Sequence, residues 1–365
     1  MKAKWLILCG LLLSLTGCAL GAAPSKIGTE TAAERTVERE NYTPRKVNGG
    51  VHLVWDWQPE DGSASQILEQ EKLQGINVVS PKWFEIADEN GRITNKNGDT
   101  SYVEKAHAKG YIVWPLITNG FNPDRTRKLL HNPAARQQVL QQLLSLCKTL
   151  QLDGINLDFE NIHPEDRERL TDFVGDIAEA LHASNLTVSI DVTIPSSNGN
   201  WSRCYDRGAL SAKTDYVMLM AYDEHYRKSK IAGSVASLPW VKAGIKATLA
   251  EKVPKEKLVL GMPLYMRDWT IDKSGQVSAK TLSMSGAAQL LKEKTLVPQW
   301  LSDKGQYYFS YTDEKGQQHQ VWQEEARSLL LKAALVSRYD LAGSCYWRKG
   351  LETPDVWPKL AAVMT

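Results

Sequence analysis

The chain carries little excess charge of either sign. Its 365 residues include 44 Lys and Arg against 42 Asp and Glu, which provides no basic surface for holding the phosphates of a nucleic acid. It also lacks a Walker phosphate-binding loop, a dinucleotide-binding glycine fingerprint and the HExxH zinc motif. These absences argue against nucleotide-dependent and zinc-dependent chemistry. We expect no cofactor, no metal ion and no nucleic-acid partner.

Cysteine is scarce as well. Of the 5 cysteines in the chain, Cys147, Cys204 and Cys345 follow the N-terminal region. An odd number leaves at least one thiol either free or paired between chains. Their spacing does not fit a zinc site, so these cysteines do not predict a metal centre.

Long apolar runs are also missing. The segment from Trp5 to Leu13 is too short to span a bilayer as a helix, and it follows two lysines, as in a secretory signal peptide. Leu15-Thr-Gly-Cys18 is similar to the lipobox of bacterial lipoproteins, which implies that Cys18 becomes the lipidated first residue of the mature chain. An ordinary signal peptide with an incidental cysteine is the alternative.

Composition divides the rest of the chain into two parts. Residues 18–48 are rich in Ala, Glu, Thr, Arg and Pro and show little apolar periodicity, as a flexible tether would. We therefore predict a lipoprotein signal peptide at 1–17, a lipidated cysteine and tether at 18–48, and one catalytic domain at 49–365. The predicted protein is an exported monomer, anchored by its lipid to the bacterial cell membrane or outer membrane.

Strand and helix patterns alternate along the predicted domain. Strand-like segments begin near Val51, Gly75, Gly110, Asp153, Leu186, Asp215, Lys257 and Leu341. Helical patterns lie between them, notably over 165–184 and 238–251. Eight such units predict an α/β fold with a parallel sheet closed into a (β/α)8 TIM barrel. After the seventh strand the spacing breaks, and a hairpin pattern predicts a small α+β insertion at about 270–321.

The fourth predicted strand has two unlike faces. Its side chains alternate between an apolar set and a polar set, Ile155, Leu157 and Phe159 against Asn156, Asp158 and Glu160. A buried parallel strand is normally apolar on both faces, and polar side chains are costly to desolvate. Repulsion between two carboxyl groups on one face raises the pKa of one of them, which suits it to general acid catalysis. An exposed edge strand is the alternative, but the apolar helical pattern before it argues against that.

This segment resembles the signature of family 18 glycoside hydrolases, the chitinase-like TIM barrels, whose fourth strand ends in Asp-Gly-x-Asp-x-Asp-x-Glu. The chain reads Asp153-Gly-Ile-Asn-Leu-Asp-Phe-Glu160, so Asn156 replaces the middle aspartate. Three later segments are similar to the family motifs at strands six, seven and eight: Met220-Ala-Tyr-Asp223, Gly261-Met-Pro-Leu-Tyr-Met-Arg267 and Gly343-Ser-Cys-Tyr-Trp347. The branch that contains spore-cortex-lytic N-acetylglucosaminidases is the most similar. In many chitinase-like barrels an insertion like the predicted one forms a wall of the substrate cleft.

The resemblance implies how such a site would work. The nucleophile would be the substrate's own 2-acetamido group, with Glu160 as the acid and then the base. Asp158 would accept the acetamido N–H, and Tyr222 would position its carbonyl oxygen. Asp223 would bind the same sugar, and Trp347 would form an apolar floor beneath it. Core packing is the alternative for the two aromatic residues.

Further residues are expected to bind substrate. The family motifs imply this role for Asp153, Asn156, Tyr265 and Arg267, although a salt bridge or packing is the alternative for the last two. Trp83 and Asn119 follow the second and third predicted strands and are expected in the cleft from their position alone. Because Asn156 has no charge to share with Asp158, we also expect an altered pH dependence.

Three functions remain open at this point. The first is hydrolysis of β-1,4 bonds next to N-acetylglucosamine, in peptidoglycan or chitin-like oligomers. The second is a catalytically silent sugar-binding barrel at the cell envelope, although the presence of Asp158 and Glu160 argues against it. The third is an unrelated barrel hydrolase that uses these two residues as an ordinary carboxylate pair.

The predicted lipid anchor can be tested by replacing one residue. Cys18→Ala should leave an unprocessed or soluble precursor, because the acceptor thiol for the lipid is removed. Metabolic labelling with a fatty-acid analogue, followed by membrane fractionation, measures this directly. A variant that still carries lipid and still sediments with membranes would contradict the lipobox interpretation.

Overall fold

The computed structural model describes residues 42–57 and 66–364. The predicted signal peptide, Cys18 and most of the predicted tether lie outside these ranges. In the part of the chain that is described, no helix is long and apolar enough to cross a membrane.

The strands form a closed parallel barrel and a smaller second sheet. In chain order they are β1 Val51–Asp56, β2 Val78–Ile86, β3 Ile93–Asn95, β4 Ile112–Val113, β5 Leu116–Thr118, β6 Gly154–Asp158, β7 Thr187–Thr193, β8 Tyr216–Met220, β9 Leu258–Pro263, β10 Tyr265–Ile271, β11 Val277–Ser283, β12 Gln299–Leu301, β13 Gln306–Thr312, β14 Gln318–Gln323 and β15 Gly343–Trp347. The barrel runs β1, β2, β5, β6, β7, β8, β9, β15, and β15 pairs with β1 to close it. The short strand β4 also pairs with β2, next to β5 at the third position of the barrel. The predicted (β/α)8 barrel is confirmed.

Helices surround this barrel. They are α1 Gln66–Glu69, α2 Thr100–Ala108, α3 Pro123–Leu130, α4 Pro133–Leu150, α5 Arg167–His182, α6 Arg207–Lys213, α7 Leu238–Ala250, α8 Met284–Glu293, α9 Ala326–Arg338 and α10 Val356–Ala361. Sequence sets their ends: Asn122 and Asn132 accept backbone N–H bonds at the starts of α3 and α4, and a proline follows each. The patterns over 165–184 and 238–251 correspond to α5 and α7.

Alternation along the strands separates two apolar layers. Residues such as Leu53, Trp114 and Met218 fill the barrel interior. Ile155 and Leu157 face outward into the larger layer between strands and helices. Their neighbours on β6 therefore point into the barrel, as the split character of the segment predicts. A polar set on the inner face is carried towards the carboxyl end of the barrel, where TIM-barrel sites are built.

The second sheet is the predicted insertion. It begins before and ends after the predicted range of about 270–321. Strands β10 to β14 form a five-stranded antiparallel sheet in the order β11-β10-β14-β13-β12, with α8 between β11 and β12. The predicted hairpin corresponds to β13 and β14. The sheet begins at Tyr265, directly after β9, so the seventh-strand motif continues into the insertion. Sequence alone does not reveal this, because a single residue, Leu264, separates β9 from β10.

Asp153 lies at the amino end of β6, on the floor of the barrel. Its carboxylate accepts backbone N–H bonds from Val113 at 2.8 Å and Arg45 at 2.7 Å. His107 Nε2 lies 2.7 Å from the same carboxylate, and the Tyr42 hydroxyl donates to it. The side chain is fully buried. Asp153 therefore joins three segments of the floor, and the expectation that it binds substrate is wrong.

These contacts also shorten the predicted tether. Residues 42–48 lie against the barrel floor, where Lys46 Nζ donates to Thr187 Oγ1 at 3.2 Å and Val47 packs on the interior cluster. The sequence did not indicate this attachment, because the segment has little apolar content. The attachment depends on hydrogen bonds and not on a buried apolar stripe. Residues 42–48 are thus attached to the barrel floor, and the predicted flexible tether does not extend to residue 48.

Asp153→Asn should lower stability without changing catalysis. The amide loses one acceptor oxygen while its buried donors remain, which typically costs about 1–3 kcal/mol of unfolding free energy. Thermal unfolding and kcat/KM should be measured beside Asp172→Asn, an exposed matched change on α5. An Asp153 variant with the stability of the control but a reduced kcat/KM would restore a role in substrate binding.

Candidate active site

A cavity of about 440 Å³ opens at the carboxyl end of the barrel. The predicted residues that line it are Asp158, Glu160, Tyr222, Asp223, Tyr265, Arg267 and Trp347. They come from β6, the segment after β8, β10 of the insertion and the end of β15. Four motifs that are separated by up to two hundred residues in the sequence thus meet around one space.

Asp158 and Glu160 form the centre of this cavity. Both project from the inner face at the end of β6, and they share a hydrogen bond. Burial raises the pKa of Asp158 to about 7, while the positive charge of Lys82 opposes this rise. The two carboxyl groups therefore titrate as a coupled pair.

Glu160 is the group that holds its proton. Burial raises its pKa well above the ordinary range, and the negative charges of Asp158, Asp191 and Asp223 raise it further. A carboxylic acid that stays protonated near neutral pH can give a proton to a leaving group. The backbone of Glu160 is fixed by Asn119, whose amide accepts its N–H at 3.1 Å and donates to its carbonyl at 2.8 Å.

Asp223 is held in one orientation by two residues of the insertion. Its Oδ1 accepts the Tyr265 hydroxyl at 2.7 Å and Arg267 Nη2 at 2.8 Å. Its backbone lies in the left-handed region with φ of 61°, which a short polar side chain tolerates better than most. The insertion thus supplies part of the site as well as a wall, and it places the Arg267 guanidinium against the Asp223 carboxyl group.

Two aromatic side chains complete the predicted set. Tyr222 is half-buried, and its ring meets the edge of the Tyr265 ring with 6.3 Å between centroids. Trp347 is also half-buried and packs edge-on against Trp55 at 5.7 Å. Both line the cavity, so contact of Tyr222 and Trp347 with a sugar stays a prediction that their positions allow.

Two residues expected in the cleft are not there. Trp83 is fully buried on the outer face of β2, where it packs against Phe84 and Tyr102. Asn119 is buried beneath the site and binds the backbone of Glu160 instead of lining the cavity. Strand parity explains the error for Trp83: Lys82, one residue earlier, is the one that faces inward.

Asn156 also differs from expectation. It is fully buried below the cavity, so it does not bind substrate directly. Its Oδ1 accepts Trp55 Nε1 at 2.8 Å and the Ser80 hydroxyl at 3.3 Å. Its Nδ2 donates to Ser189 at 3.0 Å and to Asp191 Oδ1 at 2.7 Å. All four bonding positions of the amide are filled, and its acidic partner is Asp191, not Asp158.

Asp191 is the principal residue that sequence reasoning missed. It lines the cavity from β7, and burial together with the Asp158 charge raises its pKa well above the ordinary range. The signal was present: an acid within Val188-Ser-Ile-Asp-Val192 is as anomalous in a buried strand as Asp158 is. Other cavity residues that were missed are Lys82, Phe121, Trp201, Met220, Thr281, Arg348 and Leu351. Across the described ranges, no group of three or more His, Cys, Asp or Glu side chains could hold a metal ion.

An inward-facing acid pair at the carboxyl end of a TIM barrel is compatible with glycoside hydrolysis, a reaction that usually uses two carboxyl groups. The model of glycosyl hydrolases family 18 matches residues 54–351. The chain belongs to that family and is a glycosidase.

Known proteins of several kinds are similar to it. A cortical fragment-lytic enzyme of Bacillus subtilis is 28% identical over 250 residues, which cover 67% of this chain and 58% of that protein. Human di-N-acetylchitobiase is 27% identical over 274 residues, 68% of this chain and 69% of its own. The crystal structure of the Bacillus megaterium spore cortex-lytic enzyme SleL aligns with a TM-score of 0.77 at 23% identity, over 88% of this chain and 75% of that one. The last likeness concerns the fold.

The hydrogen bond between Asn156 and Asp191 leads to a pH-dependent prediction. Asn156→Asp places two carboxyl groups side by side in a buried site, which raises their pKa values. The folded state then binds more protons than the unfolded state above about pH 4, so stability falls as pH rises. The melting temperature of the variant, relative to wild type, should be least reduced near pH 4 and most reduced near pH 8.

Asn156→Ala is the matched control, because it removes the same hydrogen bonds without adding an ionisable group. Its loss of melting temperature should depend on pH less steeply, because it affects the pKa of Asp191 only through one lost hydrogen bond. Parallel curves for the two variants would show that the added carboxyl group does not couple to Asp191.

Proposed function

We propose that the protein hydrolyses β-1,4 bonds next to N-acetylglucosamine in cell-wall glycan, with retention of configuration and with the 2-acetamido group of the substrate as nucleophile. The observation that carries this proposal is the hydrogen-bonded pair of Asp158 and Glu160, in which Glu160 has a strongly raised pKa and faces the cavity. Such a group is a ready acid for the glycosidic oxygen.

The same hydrogen bond argues against an ordinary carboxylate pair. In a retaining enzyme of that kind, acid and nucleophile flank the sugar with about 5–5.5 Å between them. Asp158 and Glu160 are in direct contact and project from one face of one strand. The other acids are already bound, Asp191 by Asn156 and Asp223 by Arg267. A nucleophile from the substrate fits this arrangement better.

The proposed reaction has two steps. First, Glu160 gives its proton to the leaving oxygen while the acetamido carbonyl oxygen bonds to the anomeric carbon, and the glycosidic bond breaks. Asp158 accepts the acetamido N–H and stabilises the cyclic oxazolinium ion that forms. Water then attacks the anomeric carbon from the face the leaving group vacated and passes a proton to Glu160, while the bond between that carbon and the acetamido oxygen breaks and restores the acetamido group. Two inversions at one carbon give net retention.

The remaining cavity residues would hold the sugar during these steps. The Tyr222 hydroxyl would orient the acetamido oxygen, and Asp223, fixed by Tyr265 and Arg267, would bind the same ring. Trp347 would contact the C–H groups of the sugar face. Asp191, which the sequence did not suggest, would act on the pair through its charge.

The similar proteins support a substrate polymer, and the N-terminal sequence supports a location for the enzyme. The cortical fragment-lytic relative supports cell-wall glycan as the substrate, and the chitobiase relative supports N-acetylglucosamine linkages, in chitin-like oligomers as well. We propose that an exported monomer is attached to the bacterial cell membrane or outer membrane through lipidated Cys18, beside the glycan it cleaves. A tether from Cys18 to about residue 41 would separate the barrel from the lipid.

A substitution and an inhibitor together test the chemistry. Glu160→Gln removes the transferable proton and should lower kcat on peptidoglycan and on N-acetylglucosamine oligomers by about 10²–10⁴-fold. A thiazoline of N-acetylglucosamine, which mimics the cyclic ion, should inhibit the wild type competitively and still bind the variant. Turnover is measured by mass analysis of the released ends, and binding by calorimetry.

Glu165→Gln is the matched control, because Glu165 is exposed and forms an ion pair with Arg127 outside the cavity. It should keep wild-type turnover. Normal turnover by Glu160→Gln would remove Glu160 from its role. A fully active wild type that the thiazoline does not inhibit would leave the enzyme a glycosidase but reject the substrate-assisted step.

A further inference from the structure

The charges around the cavity are divided between two sides. The acids come from the segments at β6, β7 and β8, namely Asp158, Glu160, Asp191 and Asp223. Among the described residues, three cations line the cavity; Arg267 pairs with Asp223, which leaves Lys82 on β2 and Arg348, the residue after β15. The barrel order brings β15, β1 and β2 together, away from β7. The acids described above account for proton transfer but give no reason for the two cations.

Arg348 lies at the rim of the cavity, where its guanidinium has few partners among the described residues. Its guanidinium lies 4.4 Å from the ring centroid of Trp57, and its one hydrogen bond is a long one of 3.4 Å to the Lys349 carbonyl. Its charge interacts with two acids, Asp56 and Glu352, and both already accept other donors: Tyr102 donates to Asp56 at 2.9 Å and Lys349 Nζ donates to Glu352 at 2.6 Å. Within the described residues, Arg348 forms no ion pair, so its donors remain available to a ligand.

Lys82 lies on the same side, on β2, which is separated from β15 by β1. Ser80 on β2 bonds to Asn156 inside the barrel, so Lys82, two residues later, also points inward. The described residues give its ammonium no ion pair, and it acts on Asp158 only through its charge. Lys82 and Arg348 are therefore two cations at the edge of a cavity whose proposed sugar substrate, N-acetylglucosamine, is neutral.

We propose that Lys82 and Arg348 form an anion-binding position that recognises a carboxylate on the sugar next to the cleaved N-acetylglucosamine. This inference rests on the proposed function and narrows its substrate to a glycan with free carboxylates, such as peptidoglycan strands whose lactyl groups no longer carry peptides. The planar guanidinium of Arg348 matches a carboxylate, and its stacking on Trp57 orders it before binding. Chitin-like chains carry no group that would use either cation.

The test compares substrates that differ only in charge. Glycan strands prepared from peptidoglycan are used with free lactyl carboxylates or with the same groups reduced to alcohols, and N-acetylglucosamine oligomers are a neutral reference. Wild type should cleave the carboxylate strands with a kcat/KM about tenfold higher than the reduced strands, the usual scale for one charge-assisted hydrogen bond. The ratio should fall as salt is added.

Arg348→Met should bring this ratio close to one, whatever its effect on the absolute rate. Arg169→Met, an exposed change on α5, is the matched control and should keep the wild-type ratio. Lys82→Met should reduce the ratio too, and in addition should raise the pKa of Asp158, which the pH–rate profile reports. Thermal unfolding shows whether each variant is folded.

The outcomes separate this inference from the proposed function. If wild type cleaves both forms of the strand equally well, the anion-binding position is rejected while the hydrolase proposal stands. If neither the strands nor the oligomers are cleaved, the hydrolase proposal itself fails. If Arg348→Met and Lys82→Met both keep the wild-type preference for carboxylate strands, other residues recognise the carboxylate and the anion-binding position is rejected.

Discussion

The chemistry of this protein depends on keeping two carboxyl groups in contact where water is largely excluded. Asp158 and Glu160 would both be ionised in solution, and their repulsion would drive them apart. On the inner face at the end of β6 they stay close together, and burial raises the pKa of both groups, that of Glu160 well above its ordinary range. The remaining features of the site serve either to hold this pair in place or to balance its charge.

Holding the pair in place requires support from below and from the side. Asn156 fills the barrel beneath it with four hydrogen bonds and engages Asp191, whose charge would otherwise repel Asp158 without any partner. Asn119 fixes the backbone of Glu160. In this chain the amide at 156 is therefore a satisfied structural element, which gives a physical reason for the departure from the family's aspartate. Lys82 lowers the pKa of Asp158 from the other side.

The insertion links substrate binding to the barrel chemistry. Tyr265 and Arg267 lie on its first strand and orient Asp223, which follows the sixth barrel position. Because β10 continues directly from β9, a shift of the insertion would also move these two side chains. A separate surface, the barrel floor, anchors residues 42–48 through Asp153 and has no part in the cavity.

The sequence by itself determined the alternation of strands and helices, the two faces of β6 and the identity of most acids in the site. These features are local, since they depend on periods of two or 3.6 residues and on short motifs. Only the tertiary structure decided that Asp153 lies on the floor, that Trp83 faces the helices and that Asn156 binds Asp191. It also decided that Lys82 and Arg348 both line the cavity. The physical reason is that such contacts depend on strand parity and on barrel closure, which bring together residues with no relation along the chain.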